Sequence, residues 1–280
     1  MTAGVLPGRT DPAAVPSGAA AGTARGVTAR AVILAAGRGT RLAPLPEARR
    51  LPKCLLRYGG TTLLERHLRL LRAVGVTDVV LVVGHLASDI TAELAALAPD
   101  PAPTVVVNPD YRQGSTVSLH AAADHLAPEG DLLVMDADVL YDLRMLTALT
   151  AGGSANRMLA DHDFDPGPEP VKICQSGGRV VDLTKDVPEG LAPDRLAESV
   201  GFFRLTPAAS RELAATTARH VAEGRTGLPH EDVLRELIRS GRVDFEAADV
   251  SGLPWCETDF PHDVRHARTH VLPRLEGLPG

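Results

Sequence analysis

From residue 31 onward the chain alternates between continuous apolar runs and segments with helical spacing. "AVILAA" (31–36), "DVVLVVG" (78–84), "PTVVVN" (103–108) and "DLLVMDAD" (131–138) are short and largely apolar, which predicts strands buried on both faces. "TTLLERHLRLLRAVG" (61–75), "SDITAELAALA" (88–98), "STVSLHAAADHLA" (115–127) and "LRMLTALTA" (143–151) carry apolar residues three and four apart, as helices do. Gly75 suits a C-cap, Ser88 or Asp89 an N-cap, and Ser115 opens the third helix. Strand–helix alternation of this kind predicts an α/β fold, a parallel sheet covered on both faces with right-handed crossovers.

The rhythm changes after residue 153. "NRMLAD" (156–161), "PVKICQ" (170–175), "RVVDLT" (179–184) and "ESVGFFRLT" (198–206) predict strands joined by loops. Helices follow at 207–224 and 230–241, then the strand-like "VDFEAADV" and "PWCET", and a last helix from about Pro261. There is no internal repeat and no clean linker. One domain over residues 30–273 is expected, between a disordered tail (1–29) rich in Ala, Gly and Pro and a short C-terminal tail (274–280).

Composition narrows the partners. A chain of 280 residues, 44% hydrophobic, is long enough for one large α/β core. Aromatics are only 3%, so that core is built from Leu, Val and Ala. The formal charge is −6 and no basic stripe with interleaved aromatics occurs, which argues against nucleic acid. No apolar stretch is long enough for a membrane span, and residues 1–29 lack the charged start and apolar block of a secretory signal. Cys54, Cys174 and Cys256 are far apart, which fits neither a disulfide framework nor a zinc site and suits a cytoplasmic location.

Candidate chemistry concentrates at strand ends, where parallel sheets bind ligands. "LAAGRGTRL" (34–42) ends the first strand with two glycines and two arginines, offering backbone N–H groups and positive charge together. By itself such a loop reads equally as a solvated surface loop, and it is neither G-x-G-x-x-G nor a Walker loop. Asp136 and Asp138 flank Ala137 at another strand end. Adjacent carboxylates repel unless a cation compensates, and Mg²⁺ favours carboxylate and phosphate oxygens. An aspartate turn is the plainer alternative. Gly114 and Ser115 open a helix whose N-terminus can face an anion, or simply be capped.

The stretch "LAAGRGTRLAPLPEARRLPKCLLRYGGTTLLERHL" resembles the opening signature of nucleotidyltransferases that make NDP-sugars and CDP-alcohols. That resemblance implies a Rossmann-like, glycosyltransferase-A-like three-layer fold with a mostly parallel central sheet. It implies a nucleotide-binding loop at Ala35, Ala36, Gly37, Arg38, Gly39 and Thr40, with Gly84. Arg41 would meet the leaving phosphates and Lys53 the reacting ones. A base-reading turn is implied at Gln113, Gly114, Ser115 and Ser118. Asp138 and Asp259 are the implied ligands of Mg²⁺, with Glu257 a neighbour and Asp263 assigned to the last helix. The segment "PEARRL" is more basic than the pattern usually is.

The second half resembles the phosphocholine cytidylyltransferase-like branch, which includes enzymes acting on aminoethylphosphonate. "PVKICQSGGRVVDLTKDV", "AESVGFFRLT" and "HEDVLRELI" carry that likeness and imply an acceptor site at Lys172, Lys185, Glu198, Glu231 and Asp232. The implied partners are CTP and a small phosphate or phosphonate acceptor, with a homodimer left open. The alternatives are a sugar-1-phosphate or inositol-phosphate nucleotidyltransferase and a catalytically silent nucleotide-binding regulator. The acidic set Glu198, Glu231 and Asp232 favours a cationic acceptor over either neutral polyol.

Overall fold

The computed structural model describes residues 29–46, 51–153 and 155–279, so the N-terminal tail through residue 28 and Glu47–Arg50 of the basic segment lie outside the described residues. Strand β1 (Ala29–Ala35) is the centre of the sheet, flanked in parallel by β4 (Asp78–Val83) and β6 (Asp131–Asp136). β5 (Thr104–Val107) extends the parallel part beyond β4. Successive β1 residues point to opposite faces. Ala31, Ile33 and Ala35 join one apolar cluster, with α1 (Leu63–Ala73), α2 (Ala87–Leu97) and α4 (Leu143–Thr150). Val32 and Leu34 join the other, with α3 (Ser115–Ala121), α5 (Pro207–Ala222) and α6 (Glu231–Arg239). Strands covered this way must be apolar at every position, which is why the first half reads as continuous runs.

The second half adds antiparallel pairing. β11 (Arg195–Leu205) is long enough to pair at its C-terminal end with β6 and at its N-terminal end with β9 (Lys172–Ser176), with β8 (Asn156–Asp161) alongside. β10 (Arg179–Thr184) and β12 (Phe245–Asp249) complete a nine-stranded sheet. Two small ribbons lie apart: β2 (Arg57–Tyr58) with β3 (Thr61–Thr62), and β7 (Val139–Tyr141) with β13 (Trp255–Glu257).

Local signals mostly act where expected. Thr62 Oγ1 accepts from the Glu65 amide at 3.1 Å, a cap worth about 1 kcal/mol to α1. α2 departs from expectation. It starts at Ala87 after Leu86 in a left-handed conformation, so Ser88 and Asp89 lie inside its first turn. The tight turn after β4, closed by Ala87 N–H donating to the Gly84 carbonyl, sets the start earlier. The C-terminal segment is also not a free tail. Leu275 and Leu278 pack on apolar clusters, the Glu276 amide donates to Asp142 Oδ2 (3.0 Å), and Arg69 donates to the Pro279 carbonyl.

Candidate active site

Strand register brings the carboxyl ends of β1, β4 and β6 to one edge, with Ala35 opposite Val83 and Leu34 opposite Asp136. The glycine loop leaves at this edge and is tied to the turn at Gly84 by His85 N–H donating to the Ala36 carbonyl (3.1 Å). A one-turn 3₁₀ helix, Thr40–Leu42, then buries Leu42 against Leu56, Tyr58, Leu140 and Val264. That anchor leaves Gly37, Arg38, Thr40 and Arg41 facing solvent. The stem of Lys53 lies over Gly39, where an added Cβ would come within 3.1 Å of Lys53 Cγ.

The β7–β13 ribbon joins segments 114 to 118 residues apart. Val139 pairs with Glu257, and the amide and hydroxyl of Thr258 both donate to the Asp138 carbonyl, at 3.0 and 2.8 Å. Asp259 therefore meets Asp138. Asp263 fixes it from the other side: Oδ2 accepts from the amides of Asp259 (3.0 Å) and Phe260 (2.7 Å), capping α7 (Pro261–His266). Lys53 Nζ lies 2.6 Å from Asp138 Oδ2 and also pairs with Asp259. Burial alone would lower the Lys53 pKa, but the two aspartates outweigh it and hold the ammonium charged. Arg41 pairs with Asp259, donates to Glu169 (3.2 Å) and stacks over Phe260.

Oxygens of Asp138, Glu257 and Asp259 lie within 4.8 Å of one another. Burial, then Asp138 and Asp259, push Glu257 up to about 8. An all-carboxylate donor set crowded this way fits a hard divalent cation such as Mg²⁺.

A second cluster lies one step back on the same strand end. Asp136, His230 and Glu231 place ligand atoms within 4.8 Å of one another. Asp136 sits against Gly201, where a Cβ would strike its carboxylate. Burial first, then Glu231 and Asp138, raise Asp136 well above the ordinary carboxylate range. Sequence gives His230 no role of its own, although it immediately precedes the acidic pair of α6.

The remaining expected residues divide. Ser115 bonds His230, and buried Ser118 accepts from Asn108 Nδ2 (3.0 Å). Gln113 is exposed beside them. Glu198 stands in register between Asp161 and Lys172; burial, then Asp161, raise it to about 7. Trp255 Nε1 donates to Asp161 Oδ2 at 2.7 Å. Lys185 contacts Glu169 at 3.5 Å, so Lys185 and Arg41 share one carboxylate. Two residues are turned elsewhere. The Lys172 ammonium is spent on the carbonyls of Gly167, Pro170 and Lys185. Asp232 lines a separate cleft with His220, Arg225 and Arg235, because neighbouring helical residues point about 100° apart. Glu169, Thr258 and Asp161 carry no motif and become visible only through these contacts.

Residues 31–182 match the model of the MobA-like NTP transferase domain. The chain belongs to that family. This NTP transferase domain contains the glycine loop, Lys53, Asp138 and the Gln113–Ser118 turn within the matched span, while Glu198, Glu231 and Asp259 lie beyond it. It is 33% identical over 248 residues to a bifunctional IPC transferase and DIPP synthase of Rubrobacter xylanophilus, covering 86% of this chain and 52% of that one. It is 30% identical over 254 residues to a CMP-5'-(3-aminopropyl)phosphonate synthase of Streptomyces rubellomurinus, covering 89% and 40%. The chain thus spans about half or less of these curated relatives. Its fold is similar to the inositol-1-phosphate CTP transferase of T. maritima (TM-score 0.73, 20% identity, 91% of this chain and 99% of that one). It is also similar to the CTP:phosphocholine cytidylyltransferase of Streptococcus pneumoniae (TM-score 0.67, 18% identity, 86% and 98%). No described helix is long and apolar enough to cross a membrane.

Proposed function

We propose that the chain joins CTP to a small amino-phosphonate or amino-alcohol phosphate, giving a CMP-phosphonate or CDP-alcohol and pyrophosphate. An acceptor oxygen attacks the α-phosphorus and the bond to pyrophosphate breaks. The acceptor oxygen is already ionised, so the work is positioning and charge neutralisation. In this reading Ala35, Ala36, Gly37, Arg38, Gly39, Thr40 and Gly84 cradle the triphosphate, and Gln113, Gly114, Ser115 and Ser118 face the base. Lys53 steadies the α-phosphate and the incoming oxyanion, Arg41 offsets charge on pyrophosphate, and Lys185 holds the acceptor phosphate. Asp138 and Asp259 would hold Mg²⁺, with Glu257 beside them, and the ion when bound neutralises phosphate charge.

The observation that carries the acceptor class is the Asp136–His230–Glu231 cluster, which sets two half-buried acidic side chains beside one another where an ammonium group could meet them. A cage for a quaternary ammonium needs several aromatic rings around the cation, and Tyr141, Phe202 and Phe203 are fully buried in the core. A primary amine held by carboxylates is therefore favoured over choline. The aminopropylphosphonate relative is consistent with this reading. The second reading is a polyol phosphate acceptor, since the inositol-1-phosphate CTP transferase of T. maritima shares the fold.

The test is pyrophosphate release from each of the four NTPs with 2-aminoethylphosphonate, phosphocholine, inositol 1-phosphate and glucose 1-phosphate. The highest kcat/KM is expected for CTP with 2-aminoethylphosphonate. Preference for inositol or glucose phosphate would transfer the assignment to the second reading. No release from any pair would leave the nucleotide-binding regulator.

A further inference from the structure

Two segments assigned to different substrates are built as one hydrogen-bonded unit. The loop 226–230 lies across the start of α3. The Gly114 amide donates to the Thr226 carbonyl (2.9 Å), the Thr116 amide to the Leu228 carbonyl (3.1 Å), and Thr116 Oγ1 to the Pro229 carbonyl (2.9 Å). The approach is so close that a Cβ on Gly114 would collide with the Leu228 carbonyl oxygen. Amides at the start of α3 are thus occupied by the polypeptide that carries Glu231.

His230 closes the unit. It is 2% exposed, and its amide donates to Ser115 Oγ at 2.8 Å. Its Nδ1 lies 3.1 Å from the same Oγ and 3.1 Å from Glu231 Oε2. Its Nε2 is buried without a partner among the described residues. A neutral imidazole carries one ring proton. With the proton on Nδ1, the ring donates to the Glu231 carboxylate or to Ser115 Oγ. With the proton on Nε2, Nδ1 accepts from the Ser115 hydroxyl and no longer supports Glu231. One ring nitrogen therefore answers to both a hydroxyl at the nucleotide-side turn and a carboxylate at the acceptor-side cluster.

We infer that His230 is a positioning residue that couples nucleotide binding to acceptor binding, through Ser115 on one side and Glu231 on the other. This rests on the assignment of an ammonium-bearing acceptor proposed above. A nucleotide that engages the Ser115 hydroxyl leaves Nδ1 to Glu231 and orders that carboxylate for an ammonium group. An acceptor bound at Glu231 orders the same unit for the nucleotide. Linkage requires the factor to be equal in both directions.

The test is calorimetric titration of the full chain with Mg²⁺, using α,β-methylene-CTP, which does not transfer, and 2-aminoethylphosphonate. Each is titrated alone and against a saturating concentration of the other. Each should tighten the other by at least about fivefold, by the same factor. His230→Leu should bring that factor to within about twofold of unity, while His230→Asn, which keeps a polar atom near the Nδ1 position, should restore part of it. Thermal unfolding checks that each variant folds. Should the His230 variants not fold, Ser115→Ala removes the Oγ that meets both the His230 amide and Nδ1; nucleotide alone should then bind more weakly, and the factor between the two ligands should fall in the same way. Two ligands that bind without affecting one another would overturn the inference and leave the acceptor assignment standing. So would folded variants that keep the full factor. No binding of 2-aminoethylphosphonate to the parent, alone or with nucleotide, would overturn both.

Discussion

Thr258 donates both its amide and its hydroxyl to the carbonyl oxygen of Asp138. The fully buried threonine thereby sets how far Asp138 stands from Asp259, the next residue in the chain. Thr258→Val should cost about 1 kcal/mol of stability, since the amide bond remains. It should also lower turnover by roughly tenfold through displacement of one carboxylate, while Thr258→Ser stays near the parent. Asp138→Asn and Asp259→Asn should each lower pyrophosphate release by roughly 10²-fold without loss of fold. Near-normal turnover in either would remove that residue from the site.

Lys53 pairs with two carboxylates, those of Asp138 and Asp259. Lys53→Met leaves Asp138 and Asp259 facing each other, and should destabilise by about 1–3 kcal/mol, less than for a fully buried pair because all three groups keep some solvent. Millimolar Mg²⁺ should recover much of that loss, because the ion takes the place of the ammonium. In turnover, kcat should fall more than KM rises. A melting temperature indifferent to Mg²⁺ would contradict the shared cation site, and a change confined to the CTP KM would make Lys53 a binding residue only.

Glu169 is held by Arg41 and Lys185, the two cations assigned to phosphate groups. A carboxylate in that place competes with an incoming phosphate. Glu169→Gln should lower the KM for CTP or acceptor by about two- to fivefold at low ionic strength, and the difference should shrink in 0.5 M salt as screening weakens exposed pairs. Equal KM values for variant and parent at low salt would show that the contact has no competitive role.

Glu198 links stability to pH. Burial and Asp161 raise it from 4.5 in the unfolded chain to about 7 in the folded protein. Between those values the folded state retains a proton that the unfolded state releases. The contribution is therefore fully present below about pH 4.5, is lost as pH rises towards 7, and is level above that. Its size is about 1–3 kcal/mol. Glu198→Gln should remove this component, making the variant more stable than the parent at pH 8 and similar at pH 4.5. Denaturant titration at both pH values checks it, and parallel pH profiles for the two proteins would refute it.

The elements and the glycine loop could be read from sequence because their causes are local. A doubly covered strand must be apolar at every position, a helix shows its period within a dozen residues, and a backbone loop that approaches phosphates needs glycine where it turns. Lys53, Asp138 and Asp259 were named from motif likeness, and the fold brings all three together. What sequence could not decide is direction. Glu231 and Asp232 are adjacent in the chain, yet helix geometry sends one to the Asp136 cluster and the other to a separate cleft. Lys172 has the right residue type, but its strand position delivers the ammonium to three carbonyls. His230, Glu169 and Thr258 each depend on a contact more than 100 residues away in the chain. Local chemistry therefore determined which segments form the edge of the sheet and which charges it carries. Only the tertiary structure decided which side chains meet there, because meeting depends on register, on helix phase and on the β7–β13 ribbon that brings Asp259 back to Asp138.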